Sequence, residues 1–353
     1  MTAHRLHRTW TTRLAAVAAG SCLLVLTACG SSTNTAASSA PSSAPSSAAS
    51  SAAAATSAVD SSAAGSAGAS SAAGSASAGS AAASGSVALG TGTLPSVSMA
   101  AGQVCGDPAK MPTLAGDTLT VATSEPAFEP WMVDNDPTNG KGFESAVAYA
   151  VANRLGYQPA QVKWTRVGFD EAIAKPEGFD FDINQFTITP ERAKVVDFSS
   201  GYYALAQTVI TVDGSPVAGA ASLADLKDAK LGAMNGTTSL QAISSTIAPT
   251  TPPQVFDDNS LAAQALQNGQ IDALVVDLPT AFYMTGAQLK GGKVIGQLAA
   301  TGGKSEELGL LLAKDSALTG CVTAAVDSLR ADGTLAALEK QWLAGAGTAP
   351  VLN

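Results

Sequence analysis

Arg192 stands in an otherwise apolar, β-prone stretch, DFDINQFTITPERAKVVDFS, residues 180–199. The stretch reads as a strand, a tight bend at Pro190, one helical turn and a second strand. A guanidinium fixed there is a permanently charged planar fork that matches a carboxylate bidentately. Thr187, at the end of the apolar strand, adds a hydroxyl five residues earlier. Two further places carry polar side chains where an α/β chain presents ligands. NGTTS (235–239) joins a strand to a helix, so Thr238 and nearby backbone N–H groups sit at a helix N-terminus, an end that favours anions. Asp277 closes the strand IDALVVD (271–277), where a carboxylate can accept an ammonium. Together these groups describe a site for a zwitterion: donors grip a carboxylate and one acid grips an amine. Each also has a purely structural reading. Arg192 can pair with Asp197 or Glu191, Thr238 can cap its helix, and Asp277 can cap the helix that begins at Pro279.

These groups need a sheet to hold them. TLTVATS (118–124), QVKWTRV (161–167), DFDINQF (180–186), KLGAMN (230–235), IDALVVD, KVIGQLA (293–299) and LGLLLAK (308–314) read as strands. FESAVAYAVANRLG (143–156) reads as an amphipathic helix stopped at Gly156. SLADLKDA (222–229) carries Ser222 as N-cap with Asp225 three residues on, a variant of the capping box. NSLAAQALQNG (259–269) has an Asn cap and a Gly stop, and two helices close the chain over about 316–345. Strand and helix alternate, which predicts a mostly parallel sheet flanked by helices, with ligands beyond the carboxyl ends of its strands. DNDPTNGKG (134–142) fails as a calcium loop, because its glycine is one position late and Ser145 stands at the twelfth place. It reads as a turn.

The N-terminus sets the compartment. Arg5, Arg8 and Arg13 precede a short apolar run that ends in LTACG, residues 26–30, a lipobox in which Cys29 becomes the lipidated first residue. Similarity to bacterial lipoprotein signals implies two acyl chains there, a firm membrane anchor. Residues 1–28 are then a signal peptide. Removing them takes three of 19 cations and none of 28 carboxylates, leaving 16 against 28, a formal charge near −12. An acidic chain with no basic run is not a nucleic-acid binder. Both histidines, His4 and His7, leave with the signal, which excludes histidine-based catalytic triads and histidine metal ligands. Neither a cofactor nor a metal is expected. Cys22 is lost as well, so Cys105 and Cys321 remain, as one disulfide or as two separate thiols. Residues 31–93 are Ser, Ala, Gly and a little Pro with one charge, Asp60, and cannot build a core. Residues 29–104 are expected to be a disordered tether of r.m.s. span about 40–50 Å.

ITPERAKVVDFS, GTTS, DALVVD and the ending RADGTLAALEKQWL resemble the family 3 solute-binding proteins of ABC transporters, extracytoplasmic receptors for polar amino acids. The resemblance runs from about Leu119 to Leu343. It implies an α/β, two-lobe periplasmic-binding-protein-like fold of type II with a two-strand hinge. Lobe 1 would be 105–204 plus 304–353 (the latter including a C-terminal tail), and lobe 2 would be 205–303. It implies that Arg192, Thr187 and Thr238 hold the ligand's α-carboxylate and Asp277 its α-amine. Phe128, in SEPAFEPW, and Phe169 match aromatic positions, and Glu125 lies near the family's acidic position. At Gln185 the family contributes backbone; here the side chain either reaches the ligand or satisfies local backbone. Asp182 and Asn184 stand where the family has small apolar residues. Met234 and Val276 replace the lysine and histidine of glutamine-binding members, so the pocket does not match theirs, while Glu125 with Asp182 suits a cationic or amide side chain. The implied partners are an amino acid with a polar or charged side chain, an ABC permease and ATPase, and the membrane through Cys29; the implied state is a monomer outside the cytoplasm and not an enzyme. Two alternatives remain open on the same scaffold. One is a small-acid dehydratase using Glu125 or Asp182. The other is an amino-acid sensor without a transporter.

Overall fold

Apolar strands with β-branched side chains, several of them followed by a helix-forming run, fold into two open sheets. The computed structural model describes residues 105–300, 304–345 and 347–353, all within the unit Ala81–Asn353. The expected signal peptide, Cys29 with its expected lipid and the whole expected tether lie outside the described residues. The chain begins β1 (Leu119–Thr123), α1 (Phe143–Arg154), β2 (Val162–Arg166), α2 (Phe169–Ala174), β3 (Phe181–Asp182), β4 (Val196–Phe198), β5 (Tyr203–Leu205) and β6 (Gln207–Val212). It continues β7 (Leu231–Met234), α3 (Thr238–Ala242), β8 (Gln254–Phe256), α4 (Asn259–Gln267), β9 (Ala273–Asp277), α5 (Leu278–Tyr283) and β10 (Gly292–Leu298). It ends β11 (Glu306–Leu308), β12 (Leu311–Ala313), α6 (Thr319–Ala331), α7 (Thr334–Trp342) and β13 (Val351–Leu352).

The first sheet has the order β2-β1-β3-β12-β4 and the second β13-β10-β6-β9-β7-β8. In the first only β12 runs against its neighbours, and in the second only β6 does. Both are therefore mixed and mostly parallel. Between them β5 and β11 pair antiparallel, Tyr203 opposite Leu308 and Leu205 opposite Glu306, as a two-strand hinge. The described part is thus an α/β two-lobe fold. One apolar core centres on Val121, Phe143, Val147, Phe181 and Val322 under the first sheet; two others cover opposite faces of the second. A disulfide joins Cys105 to Cys321 on α6, so the beginning of the described chain is tied to a late helix.

Several elements differ from the sequence expectation. α1 is buried almost all round rather than amphipathic, because its alanines let α6 and α7 close against it. Its acid and its base, Glu144 and Arg154, are buried too, and Arg154 pairs with Asp332. Residues 222–229 form only the single turn Ala224–Leu226: Asp225 turns back to accept the Ala221 and Ser222 N–H groups and the Ser222 hydroxyl, and that turn has no side-chain cap. The α4 cap is Asp258, not Asn259, and it accepts from Ser260 and Leu261. The run 308–314 divides between two sheets, β11 and β12. The last strand, grouped with lobe 1 in the sequence expectation, adds instead to the second sheet, where Val351 and Leu352 pair with Gln297 and Leu298 of β10.

The longest departure is DFDINQF. Only Phe181 and Asp182 are strand; the chain then bends, and Gln185 adopts a left-handed φ of 49°. Asp182 is fully buried and neither carboxyl oxygen has a hydrogen-bond partner. The nearby Ile183 N–H is spent on the Ala122 carbonyl. Burial, and then the neighbouring Glu144, hold the Asp182 pKa well above the ordinary value, which favours the uncharged form that a dry core tolerates. A group with a raised folded-state pKa stabilises below its unfolded value of about 3.9 and loses that contribution as pH rises toward the folded value. Asp182→Asn is therefore expected to flatten part of the fall in melting temperature between pH 4 and neutrality, read by calorimetry. A profile parallel to the wild type would show that Asp182 is not held neutral.

Candidate functional site

The cleft is built from segments just beyond the carboxyl ends of the strands. Beyond β1 come Ser124, Glu125 and Phe128; beyond β2, Phe169; beyond β3, Asn184, Gln185 and Thr187; beyond β7, Thr238; and β9 ends on Asp277 itself. All eight candidate residues, Arg192, Thr187, Asp277, Thr238, Phe128, Glu125, Gln185 and Phe169, line one cavity of about 110 Å³ between the lobes. Met234 and Val276 line it as well. Asp182 does not; it lies in the core below the bend, so it offers nothing to a ligand. Trp131 is core, with its indole N–H bound to the Thr280 hydroxyl across the lobes at 2.8 Å.

Gln185 owes its place to a buried acid. Glu144, on the first turn of α1, accepts the Gln185 backbone N–H at 2.8 Å, its side-chain amide and the Tyr202 hydroxyl. Burial pushes the Glu144 pKa up to about 7, and those three donors hold it from rising further. The same contact pins the left-handed turn, which otherwise costs a non-glycine residue roughly 1 kcal/mol or more. The amide of Gln185 thus serves local structure.

Arg192 opens a one-turn helix beyond Pro190 and is 9% exposed. Its guanidinium donates to the Thr187 carbonyl at 2.7 Å and, across the cleft, to the Gly236 carbonyl at 2.9 Å. It lies 5.3 Å above the Phe169 ring, which stacks on Phe186 at 4.8 Å. Neither Asp197 nor Glu191 pairs with it; Asp197 pairs with Lys314. Burial lowers its pKa, while Glu306, Asp277 and Asp170 raise it, so a cation persists inside the fold.

On the opposing lobe Thr237, not Thr238, caps α3, with its hydroxyl accepting the Leu240 N–H. That frees the Thr238 hydroxyl, which stands 3.2 Å from that of Thr187. Asp277 makes no cap hydrogen bond to α5; instead its Oδ1 accepts the Gln207 amide at 3.0 Å. Burial and then Glu306 push its pKa up to about 7, against the Gln207 hydrogen bond and the Arg192 charge. Glu125 is half-exposed and engaged by Arg166 and Asn135. Two residues central to this network, Gln207 and Glu306, are missing from the sequence reading. Gln207 is an amide opening the wholly buried, β-branched strand QTVITV, which was the available signal. Glu306 carried none, since it belongs to no motif in the sequence.

The lobes meet directly across this cleft. Besides the Arg192, Trp131 and threonine contacts, Asn235 donates to Asp170 at 2.5 Å. Gly236, at φ 68°, makes the approach possible, since a Cβ there would stand 1.9 Å from the Asp170 carboxylate. The described conformation is therefore closed.

Residues 119–345 match the bacterial extracellular solute-binding proteins, family 3. The chain belongs to that family. The L-arginine-binding protein of Pseudomonas aeruginosa is 30% identical over 231 residues, covering 63% of this chain and 87% of that protein. The L-cystine-binding protein TcyJ of Escherichia coli is 30% identical over 222 residues, 62% of this chain and 80% of its own length. Among solved structures, the arginine-, lysine-, histidine-binding protein ArtJ from Geobacillus stearothermophilus superposes with a TM-score of 0.54 at 26% identity, covering 64% of this chain and 95% of ArtJ. Among the described residues of this family member no helix is long and apolar enough to cross a membrane.

Gly236→Ala is expected to cost about 1 kcal/mol through the positive φ alone, and to push Asp170 off Asn235. Adding Asp170→Ala should recover only the steric part. Thermal melting of the single and double variants separates the two: equal losses in both would place the whole cost in the backbone.

Proposed function

We propose that this chain captures an amino acid with a cationic side chain for an ABC importer. The observation that carries the reading is the pairing of one cation, Arg192, with an acid-rich lining across a single closed cleft. Arg192 with the Thr187 and Thr238 hydroxyls takes the α-carboxylate, and Asp277 takes the α-amine. Glu125, Asp257 and Asp258 are then the remaining charges that line the cavity, all negative, at the places left for a side chain. Phe169 and Phe128 supply apolar walls for its carbon stem. The arginine and arginine-, lysine-, histidine-binding relatives support the same class. Met234 and Val276 in the lining argue against an amide-specific pocket.

In this reading lobe 1 comprises 105–204 with 304 onward to the end of α7, and lobe 2 comprises 205–303 joined by the C-terminal strand. Ligand contacts both lobes, so only the closed form makes every contact and binding shifts the population toward it. A permease and its ATPase partner read that closed shape. The receptor acts as a monomer outside the cytoplasm, held to the membrane by lipid on Cys29, with no cofactor, metal or nucleic acid. It is not an enzyme: Glu125 is ion-paired with Arg166, Asp182 is out of reach, and the raised acid in the cleft, Asp277, sits where an amine is to be gripped. A sensor without a transporter uses the same site, and a genomic neighbour encoding a permease separates the two.

A thermal-shift screen of the twenty amino acids should give its largest shift with L-arginine or L-lysine. A ligand at 100 times its Kd stabilises by about 2.7 kcal/mol. Arg192→Ala should abolish the shift, because both lobes lose their shared anchor. A wild-type shift with acidic or purely apolar amino acids only would overturn the assignment of class.

Affinity should also depend on pH. Asp277 is half-protonated near pH 7 before ligand arrives, and an ammonium selects its ionised form. Binding is then expected to tighten up to about tenfold per unit as pH rises toward 7, and to level off above it. It should release a proton, visible by titration calorimetry in buffers of different ionisation heat. Asp277→Asn should bind weakly and without that slope.

A further inference from the structure

Glu306 lies on the hinge strand β11 and does not line the cleft. Its Oε2 nevertheless gathers three donors from both sides of it: the Thr238 hydroxyl at 2.8 Å, the Gln207 amide at 3.1 Å and the Thr187 hydroxyl at 3.3 Å. Thr187 follows the first sheet and Thr238 opens α3 of the second lobe. A single carboxylate oxygen on the hinge thus draws in one hydroxyl from each lobe. Arg192 also feels its charge. That donor set, two hydroxyls and a nearby guanidinium, is the one assigned above to the ligand's α-carboxylate.

A threonine hydroxyl has one proton. While that proton points at Glu306 it cannot be given to a ligand. We infer that Glu306 is an internal stand-in for the ligand carboxylate, which latches the empty cleft shut and is exchanged for the ligand when it binds. The inference rests on the reading of Thr187 and Thr238 as carboxylate ligands. Gln207 is built to hold the latch in place. Its carbonyl accepts the Ser239 hydroxyl at 2.5 Å, which turns its amide toward Asp277, Glu306 and Thr238 together. Behind Glu306 and Gln207 a second cavity of about 200 Å³ opens between β5, β10 and β13, lined by Leu205, Gln297 and Val351 as well. Water entering from that side can replace the departing hydroxyls, so the exchange does not strand a dry carboxylate.

Glu306 is therefore a positioning residue. It sets affinity through the two threonines and makes the closed shape partly independent of ligand. The exchange trades one set of charge-assisted hydrogen bonds for another, so the internal anion weakens ligand binding by the difference. One such bond is worth roughly 1.5 kcal/mol, or about tenfold.

The test compares full-length wild type, Glu306→Gln and, as a control on the exposed neighbouring acid, Glu307→Gln. Hydrogen exchange by mass spectrometry on peptides spanning 184–192 and 234–240 reports the empty cleft and needs no ligand. Calorimetry with L-arginine, or with whichever amino acid the screen selects, reports the exchange. Glu306→Gln should raise exchange in both peptides of the empty protein, and should tighten ligand binding by about three- to tenfold. Glu307→Gln should change neither. Unaltered exchange in the empty Glu306→Gln protein, or weaker ligand binding at a normal melting temperature, would overturn the latch; weaker binding would make Glu306 part of the amine site instead. If no amino acid binds the wild type, the functional reading fails, and the empty-protein exchange still decides whether the latch exists.

Discussion

The cleft depends on keeping a buried guanidinium charged and fixed. Desolvating an arginine is costly unless acceptors replace its water. Here the Thr187 carbonyl on its own lobe and the Gly236 carbonyl on the other do so, and the Phe169 ring covers a face. Because one of those acceptors belongs to the opposing lobe, the cation is fully satisfied only when the lobes meet. The same side chain thereby helps to close the cleft, and Gly236 is favoured there by its positive φ, since a Cβ would also have to displace the Asp170 carboxylate.

Burial raises the pKa of several acids nearby, and their partners set them apart. Asp182, without partners, is held well above the ordinary value. Glu144, with three donors, stands near 7 and fixes the turn that carries Gln185. Asp277, with one amide and a nearby cation, also stands near 7 but faces the cavity. Only the last can respond to an incoming charge. An ammonium that approaches Asp277 supplies the missing counter-charge, so the energy that keeps this acid partly protonated in the empty protein becomes part of what the ligand gains or loses.

The strand ends were legible in sequence because position along an α/β chain is information. A polar residue just past an apolar run lies at the carboxyl edge of a sheet, and Thr187, Thr238 and Asp277 were found that way before any resemblance was invoked. Arg192 was legible because a guanidinium in β-prone chain needs a reason. What escaped was whatever depended on contacts between distant segments. Asp182 looks like a site residue because it is an acid where small apolar residues are expected; the strand stops at Asp182 itself, and Glu144, 41 residues before Gln185, dictates the bend. The nature of α1 escaped for the same reason: its alanine-rich sequence does not say that two late helices will cover its outer face. Local cap chemistry is off by one residue at both α3 and α4, where the preceding threonine or aspartate makes the cap hydrogen bond.

Glu306 and Gln207 mark the deeper limit. Neither has a motif, and each acquires meaning only where β6 and β11 leave the hinge side by side. Hinge strands are the one place that both lobes reach whether the cleft is open or shut, so a side chain there can sense closure without touching the ligand. A carboxylate is the side chain best suited to that place, since it accepts from hydroxyls on either lobe and repels a carboxylate that competes for them. A neutral side chain of the same length would accept from the two threonines only weakly, and it would not oppose the ligand's charge. The position of an anion behind the donors, rather than beside them, is therefore what lets one network both close the empty cleft and yield it.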